Sequence, residues 1–186
     1  SETLQEMQEI SVLSDDPEEA ARGTADLKRF IALPENCVCA DCSIDLDDPN
    51  DFWASLNLGV VVCVRCAGFH RSLGASNSRI KSVVYDKWDP GMVERLVEGG
   101  NGKARSVYLE RLPKAYNLPD PETDDERMRA FVRNKYVRLK WADPALREAK
   151  AAEAAERAAS RRAAAGTGGR SGKRAGAMAS LSSDGV

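Results

Sequence analysis

The hydrophobic positions of this chain fall into short blocks separated by prolines, glycines and acidic turns, and most blocks carry a helical period. Leu4, Met7, Ile10 and Leu13 recur every third residue, describing a short acidic amphipathic helix with too few turns to persist alone. Asp16-Pro17-Glu18-Glu19 then reads as a helix start, with an N-cap aspartate, a proline in the first turn and acids at the positive end of the dipole. Leu27, Phe30 and Ile31 supply its apolar stripe, and Pro34 ends it. The pattern predicts a short helix around Trp53–Asn57, a strand over Gly59–Val64, a helix over 65–73 and a strand over Ile80–Tyr85. A helix over Pro90–Val97 is stopped by Gly99-Gly100, and another over Lys103–Leu112 leads to the breaker segment Pro113–Pro121. Glu122–Trp141 reads as a long helix with Met128, Phe131, Val132, Tyr136 and Leu139 on one face.

Beyond Asp143-Pro144 the composition changes. Residues 145–165 are mostly Ala with Arg and Glu, which favours helix but offers little to bury, and 166–186 are a Gly/Ser-rich tail expected to be disordered. The expected organisation is an acidic N-terminal extension at 1–14, a folded domain at 15–143, a helical extension at 144–165 and the tail. No internal repeat is visible. With 42% hydrophobic and 30% charged residues among 186, the chain can build one ordinary core. No apolar run approaches the ~20 residues of a membrane-spanning helix, and the first ten residues lack the basic and apolar regions of a secretory signal, so a cytoplasmic protein is expected.

Charge changes the picture only through its distribution. The formal net charge is −2, but residues 1–20 carry seven acids and no base, and residues 145–186 carry eight bases and four acids. The stretch between is close to neutral, unlike a dedicated nucleic-acid-binding domain. The basic tail makes an anionic membrane surface a second partner to consider, although its charges are sparse and it lacks bulky apolar anchors.

The chemistry lies in five cysteines, all between positions 37 and 66. Cys39-Ala-Asp-Cys42 and Cys63-Val-Arg-Cys66 are two C-x2-C pairs with twenty residues between them. A two-residue spacer lets a tight turn aim both sulfurs at one ion, and two such turns close a tetrahedral four-cysteine zinc site. Four thiolates leave no open coordination position, so the zinc is expected to be structural. Cys37 stands at an equally allowed spacing from Cys42 and is an alternative to Cys39, which is favoured because its pairing mirrors the second one. His70, the only histidine, is a rival ligand, but with five cysteines available a packing or hydrogen-bonding role suits it better.

Asn36-Cys-Val-Cys-Ala-Asp-Cys42, Phe52-Trp-Ala-Ser-Leu-Asn57 and Gly59-Val-Val-Val-Cys-Val-Arg-Cys-Ala-Gly-Phe-His-Arg-Ser-Leu-Gly74 closely resemble the zinc-finger domain of Arf GTPase-activating proteins, once the single residue Leu58 is passed over. The resemblance continues through Ser78-Arg-Ile-Lys-Ser82, Asp86-Lys-Trp88, Gly99-Gly-Asn101 and Phe131-Val-Arg-Asn-Lys-Tyr136, and covers roughly residues 20–142. It implies an α+β fold in which a four-cysteine zinc finger and a short central β-sheet are surrounded by several α-helices. It also implies a GTPase activator with no chemistry of its own, acting on the GTP-bound form of an Arf-class small GTPase at the Golgi, endosomal or plasma membrane. Arg71 then matches the arginine finger given in trans to the GTPase's nucleotide, where a guanidinium offsets charge building on the phosphate oxygens. Trp53 matches the family's tryptophan, read equally as a packing anchor and as a support for the finger. Lys81 and Asp86 match positions that contact the GTPase or hold that face together, and Trp88 is expected in the core.

Two departures stand out. The family usually has about sixteen or seventeen residues between the cysteine pairs, and the excess here falls in Ser43–Asp51, a loop holding Asp45, Asp47, Asp48 and Asp51. Loop closure entropy grows slowly with length, so the insertion costs little. Its acids do not follow the calcium-loop alternation and are expected to be a solvated loop that tunes partner choice. Ser76 stands where the family commonly has a histidine. Gly99-Gly-Asn-Gly-Lys103 is not a phosphate loop, because Val97 and Ala104 occupy positions that such a loop needs as Gly and Ser or Thr. Two other functions fit the sequence: a non-catalytic Arf-binding scaffold, which the long loop and Ser76 favour, and a zinc-finger nucleic-acid binder, which only the cysteines favour.

Overall fold

A computed structural model describes residues 10–120 and 122–166. Residues 1–9 and 167–186, with the helix expected to include Leu4 and Met7 and most of the expected tail, lie outside the described residues. The chain divides into two units after Arg147. Within the first, the helices are α1 (Pro17–Ile31), α2 (Val64–Arg71), α3 (Pro90–Val97), α4 (Asn101–Tyr108) and α5 (Asp125–Tyr136), and the strands are β1 (Trp53–Ser55), β2 (Val60–Val62) and β3 (Ile80–Ser82). Helix α6 runs Pro144–Gly166. In the second unit its side chains to Ala164 are exposed, consistent with an Ala-rich sequence that has nothing large to bury. No helix among the described residues is long and apolar enough to cross a membrane.

Local chemistry starts most of the helices. The Asp16 carboxylate accepts the Glu18 N–H at the head of α1, with Pro17 in the first turn. Asp89 accepts the Met92 N–H at α3, and Asp124 the Arg127 N–H at α5. Their apolar stripes close one core, in which Leu27, Phe30 and Ile31 of α1 join Val93 and Leu96 of α3 and Met128, Phe131 and Val132 of α5. The core reaches ahead of position 15. Ile10 and Val12 are buried, and the Leu13 N–H donates to the Trp88 carbonyl at 2.8 Å. Trp88 is itself core, with its Nε1 donating to the Ser82 carbonyl.

The three strands form one antiparallel sheet in the order β2-β1-β3. The helix expected around Trp53–Asn57 is therefore a correction: Trp53–Ser55 is the central strand. Trp53 and Leu56 have helical spacing, but the backbone here is taken by ladders on both sides, and the turn back to β2 closes at Gly59, whose φ of 64° suits glycine. Other elements move at their ends. Helix α5 stops at Tyr136, short of the expected Trp141, and Leu139 takes a positive φ of 50°. β3 stops at Ser82, where the Asp86 carboxylate accepts the Ser82 N–H at 2.6 Å in place of a ladder partner. Gly99-Gly100 separates α3 from α4 as expected.

β2 is an edge strand buried on both faces, and a side chain covers its outer edge. The Asn101 carbonyl oxygen accepts the Val61 N–H at 2.8 Å, while its amide donates to the carbonyls of Val61 and Val38 at 2.9 and 2.7 Å. One amide thus takes the place of a neighbouring strand. Gly99 permits this approach, since a Cβ there would meet the Gly59 oxygen at 2.5 Å. Asn101→Ala leaves the Val61 N–H and the Val38 carbonyl without this partner, while the Val61 carbonyl keeps the Ala40 N–H, and is expected to cost about 2–4 kcal/mol, read as a lower urea midpoint.

Candidate metal centre and arginine surface

The first cysteine pair sits on a turn between β-like segments. Val38 and Asp45 form an isolated antiparallel bridge, Ser43 reverses the chain with a φ of 62°, and the Ser43 N–H donates to the Cys39 carbonyl. The second pair starts α2. Cys63 is its N-cap and its Sγ accepts the Cys66 N–H at 3.4 Å. The two turns are joined directly, because the Cys63 N–H donates to Cys39 Sγ at 3.3 Å and the Ala40 N–H to the Val61 carbonyl.

The four sulfurs of Cys39, Cys42, Cys63 and Cys66 all lie within 4.8 Å of one another, with Cys42 and Cys63 at 3.8 Å. A tetrahedral ion with metal–sulfur bonds of about 2.3 Å has edges of about 3.8 Å, so the donor set fits zinc in number, chemistry and spacing. The thiols are crowded enough to disturb one another. The S–H groups of Cys39, Cys42 and Cys66 stabilise the Cys63 thiolate and push its pKa far down, while Cys39, Cys42 and Cys63 push that of Cys66 far up. Four thiolates together require a cation. Cys37 stands apart, its Sγ 3.5 Å from the Ile31 carbonyl and its pKa raised by burial and by Asp47 and Glu35.

Behind the sulfurs lies a polar network that the spacing of the sequence does not reveal. Asp41, inside the first C-x2-C, is buried, and its Oδ1 accepts from Lys135 Nζ and from the Tyr136 hydroxyl, both at 2.9 Å. Its Oδ2 faces His70 Nε2 at 2.8 Å, and His70 Nδ1 lies 2.8 Å from Ser78 Oγ, which bonds in turn to Ser55 Oγ. Lys135 Nζ also donates to the Ala40 carbonyl. Burial pushes the Asp41 carboxyl up, but the Lys135 ammonium and the His70 ring outweigh it and hold the group below the usual carboxylate range. Burial and the adjacent Asp41 push the Tyr136 phenol well above its ordinary value. One carboxylate therefore joins the first cysteine turn to α2 and α5, and His70 takes the hydrogen-bonding role expected for it.

One signal for this network was present in the sequence: Lys135 falls in phase with Met128, Phe131, Val132 and Tyr136, a lysine on an apolar stripe. Lys135→Met leaves the Asp41 charge without its ammonium and is expected to cost about 3–5 kcal/mol in urea denaturation, with the Asp41→Asn/Lys135→Met double variant recovering part of it.

Arg71 is the last residue of α2 and is exposed. Its Cζ lies 4.6 Å from the centre of the Trp53 ring, so the guanidinium rests on the face of the indole. Trp53 Nε1 is buried without a hydrogen-bond partner among the described residues. Helix α2 is clamped from α5 by Arg65, which bonds Asp125 at 2.7 Å and the Glu122 carbonyl at 2.9 Å. The structure brings Trp53 and Arg71 together but not the other candidates. Lys81 pairs with Ala54, so strand alternation puts it on the sheet face opposite Trp53. Asp86 is exposed, with its carboxylate engaged by the Ser82 N–H. In the inserted loop Leu46 and Pro49 are buried and hold the segment down, while Asp45, Asp47 and Asp48 face solvent.

Comparison with known proteins agrees with this geometry. A family model described as "Putative GTPase activating protein for Arf" matches residues 24–145. The ADP-ribosylation factor GTPase-activating protein AGD12 of Arabidopsis thaliana is 39% identical over 127 residues, covering 67% of this chain and 36% of that protein. Stromal membrane-associated protein 1 of Mus musculus is 41% identical over 117 residues, covering 63% of this chain and 25% of that protein. The chain thus spans about a third or less of the length of these relatives. Among solved structures, the ArfGap domain of HIV-1 Rev binding protein superposes with a TM-score of 0.60 at 23% identity, covering 68% of this chain and 92% of that one, a likeness of fold.

Proposed function

The chain belongs to the family of GTPase-activating proteins for Arf, and from that premise we propose that it accelerates GTP hydrolysis by an Arf-class small GTPase in its GTP-bound form. Arg71 is the finger: it enters the partner's nucleotide site in trans and stabilises the negative charge of the transition state, while the nucleophile, metal and nucleotide belong to the GTPase. The protein has no chemistry of its own and completes an active site elsewhere.

The observation that carries this reading is an exposed arginine at the end of a helix that is fixed on every other side. Two cysteines anchor the start of α2, His70 ties its last turn to Asp41, Arg65 ties it to α5, and Trp53 seats the guanidinium. Cys39, Cys42, Cys63 and Cys66 would hold one zinc ion. Bound there it supplies a structural cross-link between the two turns. The partner resides on membranes, so the protein works in the cytoplasm at the periphery of Golgi, endosomal or plasma membrane.

The test is single-turnover GTP hydrolysis by a panel of Arf-class GTPases. Acceleration of at least one member is expected. Binding of the GTP-loaded GTPase without acceleration would replace this reading with a scaffold.

A further inference from the structure

The finger stands where a helix is least secure. Arg71 is the last residue of α2, and the last turn of a helix carries carbonyls without helical partners and frays first. The cysteines fix the start of α2, roughly 8–12 Å away along the helix axis, and not its end. After Arg71 comes a return loop, residues 72–79, which is mostly exposed and leads into β3. This loop acts directly on the backbone of the finger, because Gly74, turned by a φ of 86°, donates its N–H to the Arg71 carbonyl at 3.1 Å. Whatever holds the loop therefore holds the base of the arginine.

One strand holds it. Trp53 and Ser55 lie two apart on β1 and share a face of the sheet. Trp53 seats the guanidinium. Ser55 Oγ meets Ser78 Oγ at 2.9 Å, and Ser78 Oγ lies 2.8 Å from Nδ1 of His70, the residue before the finger. Asn57, two positions further on, takes the loop twice. Its Oδ1 accepts the Arg79 N–H at 2.8 Å, and its Nδ2 donates to the Ser76 carbonyl at 3.2 Å. The Ser55 hydroxyl also donates to Asn57 Oδ1 at 3.2 Å, which joins the two holds into one. Among the described residues, the side chains that hydrogen-bond this loop from outside it are His70, Ser55 and Asn57. Asn57 is exposed, so burial does not demand an amide there.

We infer that Ser55 and Asn57 are positioning residues for the finger: alternate residues running from Trp53 along β1 fix the guanidinium, the last turn of α2 and the loop behind it, and so set the direction in which Arg71 leaves the surface. This rests on the role proposed for Arg71 and adds what aims it. The gain is preorganisation. A misplacement of about 1 Å at a reacting centre costs on the order of a hundredfold in rate, and a side chain on a fraying turn stays in place only where its own support is locked.

The experiment titrates Asn57→Ala and Ser55→Ala, each in the full chain, against a responsive Arf-class GTPase loaded with GTP. Two quantities are read: the hydrolysis rate at saturating activator, and the activator concentration that gives half of it. Both variants should lose about tenfold in the saturating rate, with the half-saturating concentration and the zinc content of wild type. Asn57→Ala removes two exposed hydrogen bonds and should lower Tm by no more than about 4 °C, so it decides the matter if the buried Ser55→Ala fails to fold. Asn101→Ala, expected to cost more stability at the outer edge of β2, is the control and should keep the saturating rate of wild type. A wild-type saturating rate in Asn57→Ala overturns the inference. A loss confined to the half-saturating concentration also overturns it, by making Asn57 a contact with the partner, and so does an equal loss in Asn101→Ala, which reduces the effect to general stability. Failure of wild type to stimulate any GTPase, or full stimulation by Arg71→Lys, appears before these variants are compared and removes the proposed role of Arg71 together with the inference that rests on it.

Discussion

Arg71→Lys is expected to reduce GTPase stimulation by about 10³–10⁵, the whole contribution of an arginine finger, while leaving the protein folded. The side chain is exposed and, among the described residues, its contact is the Trp53 ring, so replacing it should shift stability by no more than about 0.5 kcal/mol. The charge is retained and only the shape is lost. A guanidinium offers a planar fork of donors that can bind two phosphate oxygens at once, and it lies flat on an indole; an ammonium is a compact point charge that does neither as well. Trp53→Phe keeps a ring under the guanidinium and should retain most of the stimulation, whereas Trp53→Ala unseats it and should lose about tenfold. The assay is single-turnover hydrolysis at saturating activator, beside a melting curve for each variant. Full stimulation by Arg71→Lys would place the catalytic charge elsewhere.

Features made by neighbouring residues were legible in the sequence. The two C-x2-C pairs, the aspartate cap at Asp16, the proline-led helices and the Gly99-Gly100 stop each lie within a few positions of what they control. What escaped the sequence is assembled from distant parts. Asp41 meets Lys135 and Tyr136 across more than ninety residues, and Asn101 closes the edge of β2 from forty residues away. A period places Lys135 on the buried stripe of its helix, but it does not name the partner met there. β1 departs from its local pattern for a related reason: Trp53–Ser55 is a strand because β2 and β3 flank it, against the helical spacing of its own apolar residues. Cys37 and Cys39 both stand at an allowed spacing from Cys42, and symmetry with the second pair favours Cys39. In the structure the sulfur of Cys39, bonded by the Cys63 N–H, lies within 4.8 Å of those of Cys42, Cys63 and Cys66.

Removal of zinc should be the most damaging change of all. Structural zinc sites contribute an apparent binding free energy of about 10–16 kcal/mol, comparable to or larger than the about 5–15 kcal/mol that stabilises a whole domain. Here the sulfurs come from a turn without regular structure and from the start of an eight-residue helix, α2, which is too short to stand alone. Without the ion, four crowded thiols face one another, and the first turn is left to hydrogen bonds such as those of Asp41 with His70 and of the Cys63 N–H with Cys39 Sγ. A strong chelator, or Cys66→Ser, is therefore expected to unfold this region and abolish stimulation by displacing Arg71. Cys37→Ser should retain one zinc per chain and wild-type melting, since its sulfur lies outside the cluster. Metal analysis and melting curves on Cys37→Ser, Cys39→Ser and Cys66→Ser check both points. Loss of zinc from Cys37→Ser with retention in Cys39→Ser would move the ligand, and an unchanged melt after complete chelation would show that the turns are held by the Asp41–Lys135 network alone.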